Sequence, residues 1–207
     1  MQKLSYRDWY IPLQQDWITL REAQQSMSLV RAQQDEIPLM VQLVENPKFQ
    51  IPGLRLFHGA VDLMQHDYIH IVLGRGLLEK DEAFTIGFTM GSTNKVSTAE
   101  EKLYAWISQY LYPGVYKFSK DDIEVFSHAV RLAYISECMA LDEIDFTDYL
   151  DTPLRDVREK IGLEKDLILA YYQLEKKRYP SEPECQRLLD KVSQAVEVST
   201  KQNKHAM

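Results

Sequence analysis

Apolar positions recur along this chain with the spacing of α-helices. Between residues 13 and 34, for example, Leu13, Trp17, Leu20, Met27 and Val30 follow one another at steps that keep them near one helix face. Short runs that alternate apolar and polar residues, which are typical of strands, are scarce. The pattern predicts an all-α fold, a single-domain compact helical bundle with at most very minor strand content.

Capping residues, prolines and glycines divide the chain into separate helices. We predict helices over residues 13–34, 38–44, 54–73, 81–90, 98–111, 119–142, 153–162, 164–178 and 184–198, with a loop over 45–53. The glycines at 74 and 76 end the third of these, and Gly91 ends the fourth. The helical domain is expected to span residues 1–200, and residues 201–207 to form a disordered C-terminal tail.

The composition indicates which class of protein this chain belongs to. With 207 residues, 45% of them apolar and 27% charged, the chain has the balance of a globular protein that folds without disulfides. Its net charge of −7 argues against a nucleic-acid partner, because phosphate backbones are bound by clustered Lys and Arg. Eight acids and two arginines lie between Glu137 and Glu159, which indicates either a solvated acidic face or a docking surface for a basic partner.

The two cysteines, Cys138 and Cys185, lack the spacing of a zinc site or a disulfide framework. Cys138 falls in an apolar run and is expected to be buried. No stretch approaches the ~18 apolar residues of a membrane span, and the first residues do not read as a signal peptide. We therefore expect a cytoplasmic protein.

Histidine is rare, yet three of the five histidines fall within thirteen residues, in a segment that includes His66-Asp67-Tyr68-Ile69-His70. Residues four apart lie on one helix face, about 6 Å apart along the axis. His66 and His70 can therefore point at one metal ion. Asp67, three residues before His70, lies on the flank of the same face and can add an oxygen ligand.

A further ligand must come from another helix, and Glu82 is the candidate. Eleven residues separate it from His70, and they include the glycine turn that can return the chain toward the histidine pair. The predicted cofactor is a divalent metal, Zn²⁺ or one of Fe²⁺, Co²⁺, Mn²⁺ and Mg²⁺, rather than Ca²⁺. Asp62, one turn before His66, is expected either to orient that imidazole or to be a surface acid. No catalytic residue is assigned.

The segment His66-Asp67-x-x-His70, followed after eleven residues by Glu82, resembles the signature of the coenzyme Q biosynthesis protein 4 family. The run over residues 51–88 has a similar layout. The resemblance implies a helical, often dimeric protein that binds a divalent metal through His66, Asp67, His70 and Glu82.

The resemblance also implies an isoprenoid lipid or prenylated quinone precursor as ligand, and other quinone-synthesis enzymes as partners. The family is credited with oxidative removal of the ring carboxylate at C1 and its replacement by hydroxyl, and with organising the enzyme complex. Enzyme and scaffold both stay open for this chain, and its expected location is cytoplasmic or peripheral at the inner membrane face.

Two other functions compete with this one. The first is a noncatalytic helical interaction module with a structural metal site, whose acidic segment binds a basic partner. The second is a His-Asp metal phosphohydrolase, which needs another histidine on a separate upstream helix. The predicted helix over 54–73 holds both His58 and His66, and this argues against the phosphohydrolase.

Overall fold

The computed structural model describes residues 5–31 and 57–192. Within these two ranges the chain forms eight α-helices and no strand, and the one isolated bridge pairs Thr19 with Pro153. The helices are α1 (Leu20–Arg31), α2 (Leu63–Leu73), α3 (Glu79–Ser92), α4 (Thr98–Tyr110), α5 (Lys120–Ile135), α6 (Leu154–Lys160), α7 (Lys165–Arg178) and α8 (Pro183–Gln186). The all-α fold class is confirmed.

Some predictions fall outside the described residues. These are the helix over 38–44, the loop over 45–53 and the C-terminal tail over 201–207. The domain over residues 1–200 therefore stays a prediction. The helices predicted over 98–111, 153–162 and 164–178 are confirmed as α4, α6 and α7, with ends that differ by no more than two residues.

The first helix begins later than predicted. The Glu22 N–H donates to Thr19 Oγ1 at 3.2 Å, and the Thr19 N–H donates to Glu22 Oε2 at 2.8 Å. This reciprocal pair is a capping box, which fixes the start of α1 at Leu20. The predicted start at residue 13 is wrong because buried Leu13 belongs to the irregular segment that precedes the helix.

The predicted start of α2 is also wrong. Asp62 Oδ1 accepts from the N–H groups of Met64 and Gln65, both at 3.0 Å, and so forms the N-cap of a helix that begins at Leu63 rather than at residue 54. His58 therefore lies in the turn before α2, not on it. The predicted end is confirmed, since Gly74 closes α2 with a φ of +76°, the left-handed conformation that favours glycine.

Helix α3 continues past the glycine that was predicted to end it. Gly87 and Gly91 lie inside α3, which forms its most extensive helix contact with α5. A Cβ atom at Gly91 would lie 2.9 Å from Ala133 Cβ and closer still to the Val130 carbonyl oxygen. Both glycines therefore let α3 and α5 approach closely, and α3 ends at Ser92, one residue after Gly91.

Two further helix ends differ from the prediction. Helix α5 ends at Ile135 rather than at residue 142, because Ser136 adopts an extended conformation and the Met139 N–H donates to the Ile161 carbonyl at 2.9 Å. Helix α8 ends at Gln186 rather than at 198, and residues from 193 onward lie outside the described ranges. Cys138, in the segment after α5, is buried as predicted, and both cysteines are free thiols.

The C-terminal end of α2 is held by side chains of later helices. Arg158 donates to the carbonyls of Leu13 and Val72, each at 2.9 Å, and to that of Ile71 at 3.1 Å. Tyr172 Oη donates to the Leu73 carbonyl at 2.7 Å. Two of these carbonyls, those of Val72 and Leu73, belong to the last turn of α2, where a helix leaves carbonyls without backbone partners. Burial lowers the pKa of Arg158 to about 10, which is still high enough for the guanidinium to stay charged at neutral pH.

The turn between α2 and α3 is fixed by a buried ionic cluster. Arg75 donates to both carboxylate oxygens of Glu175, at 2.7 and 2.6 Å, and its guanidinium carbon lies 3.9 Å from the Phe84 ring centroid. Asp81 accepts from Arg187 at 2.6 Å and, through Oδ2, from the Leu78 N–H at 3.2 Å, which caps α3. The first turn of α3, which includes Glu82, is thereby anchored.

The acidic segment between Glu137 and Glu159 lies mostly at the surface. Six of the eight acids between Glu137 and Glu159 are exposed, and among them Asp151 pairs with Arg21 and Glu143 pairs with Lys95. This pattern fits the solvated acidic face, while docking of a basic partner stays a prediction.

None of the helices within 5–31 and 57–192 combines the length and the apolar character that crossing a membrane requires.

Candidate metal centre

The structure brings three of the four predicted ligands together. Glu82 Oε2 lies 3.6 Å from His66 Nε2 and 3.3 Å from His70 Nε2. One ligand atom from each of His66, His70 and Glu82 falls within 4.8 Å of the other two. We refer to these three residues as the His/Glu group.

Two neighbouring helices position the group. His66 and His70 lie one turn apart on α2, with ring centroids 4.7 Å apart, and Glu82 lies in the first turn of α3. Arg75 in the intervening turn and Asp81 in the first turn of α3 form buried ion pairs that fix the course of the chain between the two helices. The separation between the imidazoles and the carboxylate is therefore set by the protein fold.

The two distances from Glu82 to the histidine nitrogens fit a small divalent cation. Two ligands bound tetrahedrally to Zn²⁺ at its usual N and O distances lie about 3.4 Å apart. The two measured distances from Glu82 to the histidines, 3.6 and 3.3 Å, lie on either side of that value. The donor types, two imidazole nitrogens and one carboxylate oxygen, also match those of zinc and of the neighbouring transition metals.

Asp67 lies outside the His/Glu group. It follows His66 by a single residue, so it points about 100° around the helix from that side chain. Its carboxylate is nonetheless close enough to contribute to the raised pKa of His70. Ligation by Asp67 stays a prediction from the sequence.

Asp62 has a role that the sequence interpretation did not assign. Its Oδ1 accepts from the Met64 and Gln65 N–H groups as the N-cap of α2. It therefore places His66 by fixing where the helix begins. Direct orientation of the His66 imidazole by Asp62 stays a prediction.

His70 has polar neighbours at both ring nitrogens. Nε2 faces Glu82, and Nδ1 lies 3.3 Å from Thr85 Oγ1. Burial disfavours the charged ring, but the Glu82 carboxylate, helped by Asp67 and Asp81, outweighs burial and raises the pKa of His70. Sequence reasoning missed Thr85, although its position one turn after Glu82 on the same helix was a usable signal.

The group is buried on one side and open on the other. The side chain of His70 is only 1% exposed, whereas those of His66 and Glu82 are 16% and 33% exposed. Three protein ligands leave at least one coordination position of a tetrahedral ion for water or substrate. A small ligand can therefore reach an ion held here from the side of His66 and Glu82.

His58 takes no part in the group. Its Nδ1 lies 3.0 Å from Glu100 Oε2, and this contact joins the turn before α2 to α4. The prediction that His58 shares a helix with His66 was wrong, so the position of His58 no longer counts against a phosphohydrolase. The pairing with Glu100 now separates His58 from the His/Glu group.

Comparison of the chain with protein-family models, with curated proteins and with solved structures gives no match. The resemblance to the coenzyme Q biosynthesis protein 4 family therefore depends on the motif that ends at Glu82.

Proposed function

We propose that this protein binds one divalent cation, most favourably Zn²⁺, through His66, His70 and Glu82, and that it acts on a prenylated quinone precursor or presents it to partner enzymes. The observation that carries the metal part is the approach of both imidazoles to one carboxylate oxygen, at 3.6 and 3.3 Å. The quinone part is supported by the motif that these same residues form.

The residues of the chain have separate tasks in this proposal. His70, inside the fold, anchors the ion, while His66 and Glu82 hold it at the solvent side. The Glu82 carboxylate offsets one of the two positive charges. A bound ion with an open position would polarise a substrate oxygen, and a redox-active ion such as Fe²⁺ in place of Zn²⁺ would support the reaction with dioxygen that oxidative removal of a ring carboxylate requires.

Metal binding is tested first, on the purified full chain. Elemental analysis and Zn²⁺ titration should give one equivalent for the natural protein and a large loss of affinity for His66→Ala and Glu82→Gln. His128→Ala is the matched control, since His128 is an exposed histidine on α5 outside the group. Equal binding by all four proteins, or no binding by the natural chain, would contradict the proposed site.

The quinone part needs a cellular test. In a strain whose quinone depends on this protein, His66→Ala should lower quinone output and His128→Ala should not. Mass spectrometry of lipid that copurifies with the protein should show a prenylated species. This part of the proposal also includes what the motif implies about assembly: a homodimer, partner enzymes of quinone synthesis and a peripheral location at the membrane. Unchanged quinone output with His66→Ala would count against it.

A noncatalytic interaction module with a structural metal site is the second candidate. It is favoured by the complete burial of His70 and by the position of the group across α2 and α3, two helices of the core. A structural metal contributes directly to folding. This candidate predicts that chelation unfolds the protein while quinone intermediates stay unchanged.

A further inference from the structure

Thr85 contacts His70 of the His/Glu group, although it is not one of the predicted metal ligands. It lies three residues after Glu82, so both side chains lie on neighbouring positions of one face of α3. Thr85 is fully buried, and its Oγ1 lies 3.3 Å from His70 Nδ1. Glu82 Oε2 lies 3.3 Å from His70 Nε2. One turn of α3 thus supplies a polar partner to each nitrogen of the buried imidazole.

We infer that Thr85 is a positioning residue, whose hydroxyl holds His70 Nδ1 so that Nε2 faces Glu82 and the ion. The inference rests on the proposed metal site. It also assigns to Thr85 the orienting role that the sequence gave to Asp62 for the other histidine.

The chemistry requires a partner that can both accept and donate. When Nε2 binds a metal, the proton of the neutral ring sits on Nδ1 and is donated to Thr85 Oγ1. When no metal is bound, Nε2–H can donate to Glu82, and Nδ1 then accepts from the Thr85 hydroxyl. A hydroxyl serves in both arrangements, whereas a carboxylate or carbonyl can only accept. Thr85 therefore supports the metal-bound and the metal-free ring.

Burial makes this contact hard to replace. His70 is 1% exposed and Thr85 is fully buried, so water has little access to the Nδ1 side of the ring. A buried polar group that loses its partner keeps the full cost of its desolvation. Removal of the hydroxyl therefore weakens the ring orientation that binds metal.

The chain offers matched variants. Thr85→Val removes the hydroxyl and nearly keeps the shape, and Thr85→Ser keeps the hydroxyl. Thr89→Val is the control: Thr89 is also buried, lies one turn further along α3, and donates to the Thr85 carbonyl at 2.7 Å. This variant therefore removes a buried hydroxyl of the same helix that bonds to backbone and not to His70.

The first readout is Zn²⁺ affinity, measured by competition with a chelating dye. Loss of an outer partner of a ligating histidine typically weakens metal binding by roughly 10–100-fold, and we expect this for Thr85→Val. Thr85→Ser and Thr89→Val should stay close to the natural chain. Natural affinity in Thr85→Val, or equal losses in Thr85→Ser or Thr89→Val, would overturn the inference.

The second readout is the ¹⁵N spectrum of the histidine rings, which reports the tautomer directly. In the natural chain with Zn²⁺, His70 should carry its proton on Nδ1, and a proton on Nε2 would overturn the inference even if Thr85→Val fails to fold. If the natural chain binds no Zn²⁺, the proposed function fails separately. The metal-free spectra then decide about Thr85, because Thr85→Val must shift the His70 ring nitrogens more than Thr89→Val does.

Discussion

The buried pair between Arg75 and Glu175 gives a prediction whose size follows from the structure. Both side chains are fully buried, and the two hydrogen bonds between them measure 2.7 and 2.6 Å. Glu175→Gln keeps the shape of the acceptor but removes its charge, and it turns an amide N–H₂ toward the guanidinium. The nearest remaining carboxylate, that of Asp81, lies 3.8 Å from Arg75 and is already bonded to Arg187.

Loss of one partner from a buried ion pair costs about 3–5 kcal/mol, because a charge stays buried without compensation. For a chain of this length that loss lowers the melting temperature by roughly 6–20 °C. Loss of both charges is a different perturbation. Arg75→Met with Glu175→Leu leaves no buried charge at this pair, so the double variant should be more stable than Glu175→Gln alone.

Urea unfolding followed by circular dichroism measures these effects. Glu124→Gln is the matched control, since Glu124 pairs with Arg178 at the surface and exposed pairs add little stability. We expect a large drop of the urea midpoint for Glu175→Gln and an unchanged midpoint for Glu124→Gln. Equal midpoints for the two variants would show that the Arg75 cluster is not held by charge pairing.

Three further predictions use other parts of the molecule. Gly91→Ala should destabilise the protein by about 1–3 kcal/mol, because the new methyl group overpacks against α5. The higher helix propensity of Ala offsets up to about 1 kcal/mol of that loss. Thermal melting measures the net change in stability. Because the pKa of His70 is raised, protonation of this ring favours the folded metal-free protein at low pH. That stability is lost as the pH rises through the folded pKa, and melts at several pH values should show a weaker trend in His70→Ala. Burial raises the pKa of Cys138 to about 12 and that of Cys185 further, so iodoacetamide at pH 8 should label neither thiol until urea unfolds the chain.

The sequence predicted the meeting of the His/Glu group because local geometry controls it. Two histidines four residues apart share a helix face, and Gly74 ends that helix in a conformation that reverses the chain. Helix ends were predicted less well where a cap decides them. Asp62 and the pair of Thr19 and Glu22 start helices at positions that apolar spacing alone does not mark.

Other features depend on residues distant along the chain. Gly91 was predicted to end a helix; α3 ends one residue later, and Val130 and Ala133 approach Gly91 from α5. Arg75 and Glu175 are one hundred residues apart, and neither belongs to a recognisable motif. Tertiary contacts of this kind leave no periodic signal in the sequence, so they could not be predicted from it.

The arrangement around α2 bears on which kind of metal site the proposed one would be. Arg158, Tyr172 and Arg75 fix the end of α2 and the turn to α3 with hydrogen bonds that involve no metal. The ligand distances are therefore set before any ion binds. A site that is formed in advance gains only the stability of ligand binding itself, which grows with the logarithm of the free metal concentration. A structural site instead needs the metal in order to fold.

We therefore favour an ion that would bind to an already folded chain and keep a position open for chemistry. We expect the chelated protein to retain its helical circular dichroism and cooperative melting, with a melting temperature that rises gradually as Zn²⁺ is added. Retention of the fold without metal, together with loss of quinone output in His66→Ala, would distinguish a working metal centre from a structural one. Loss of helical signal on chelation would instead assign the ion to the fold, whatever the quinone output.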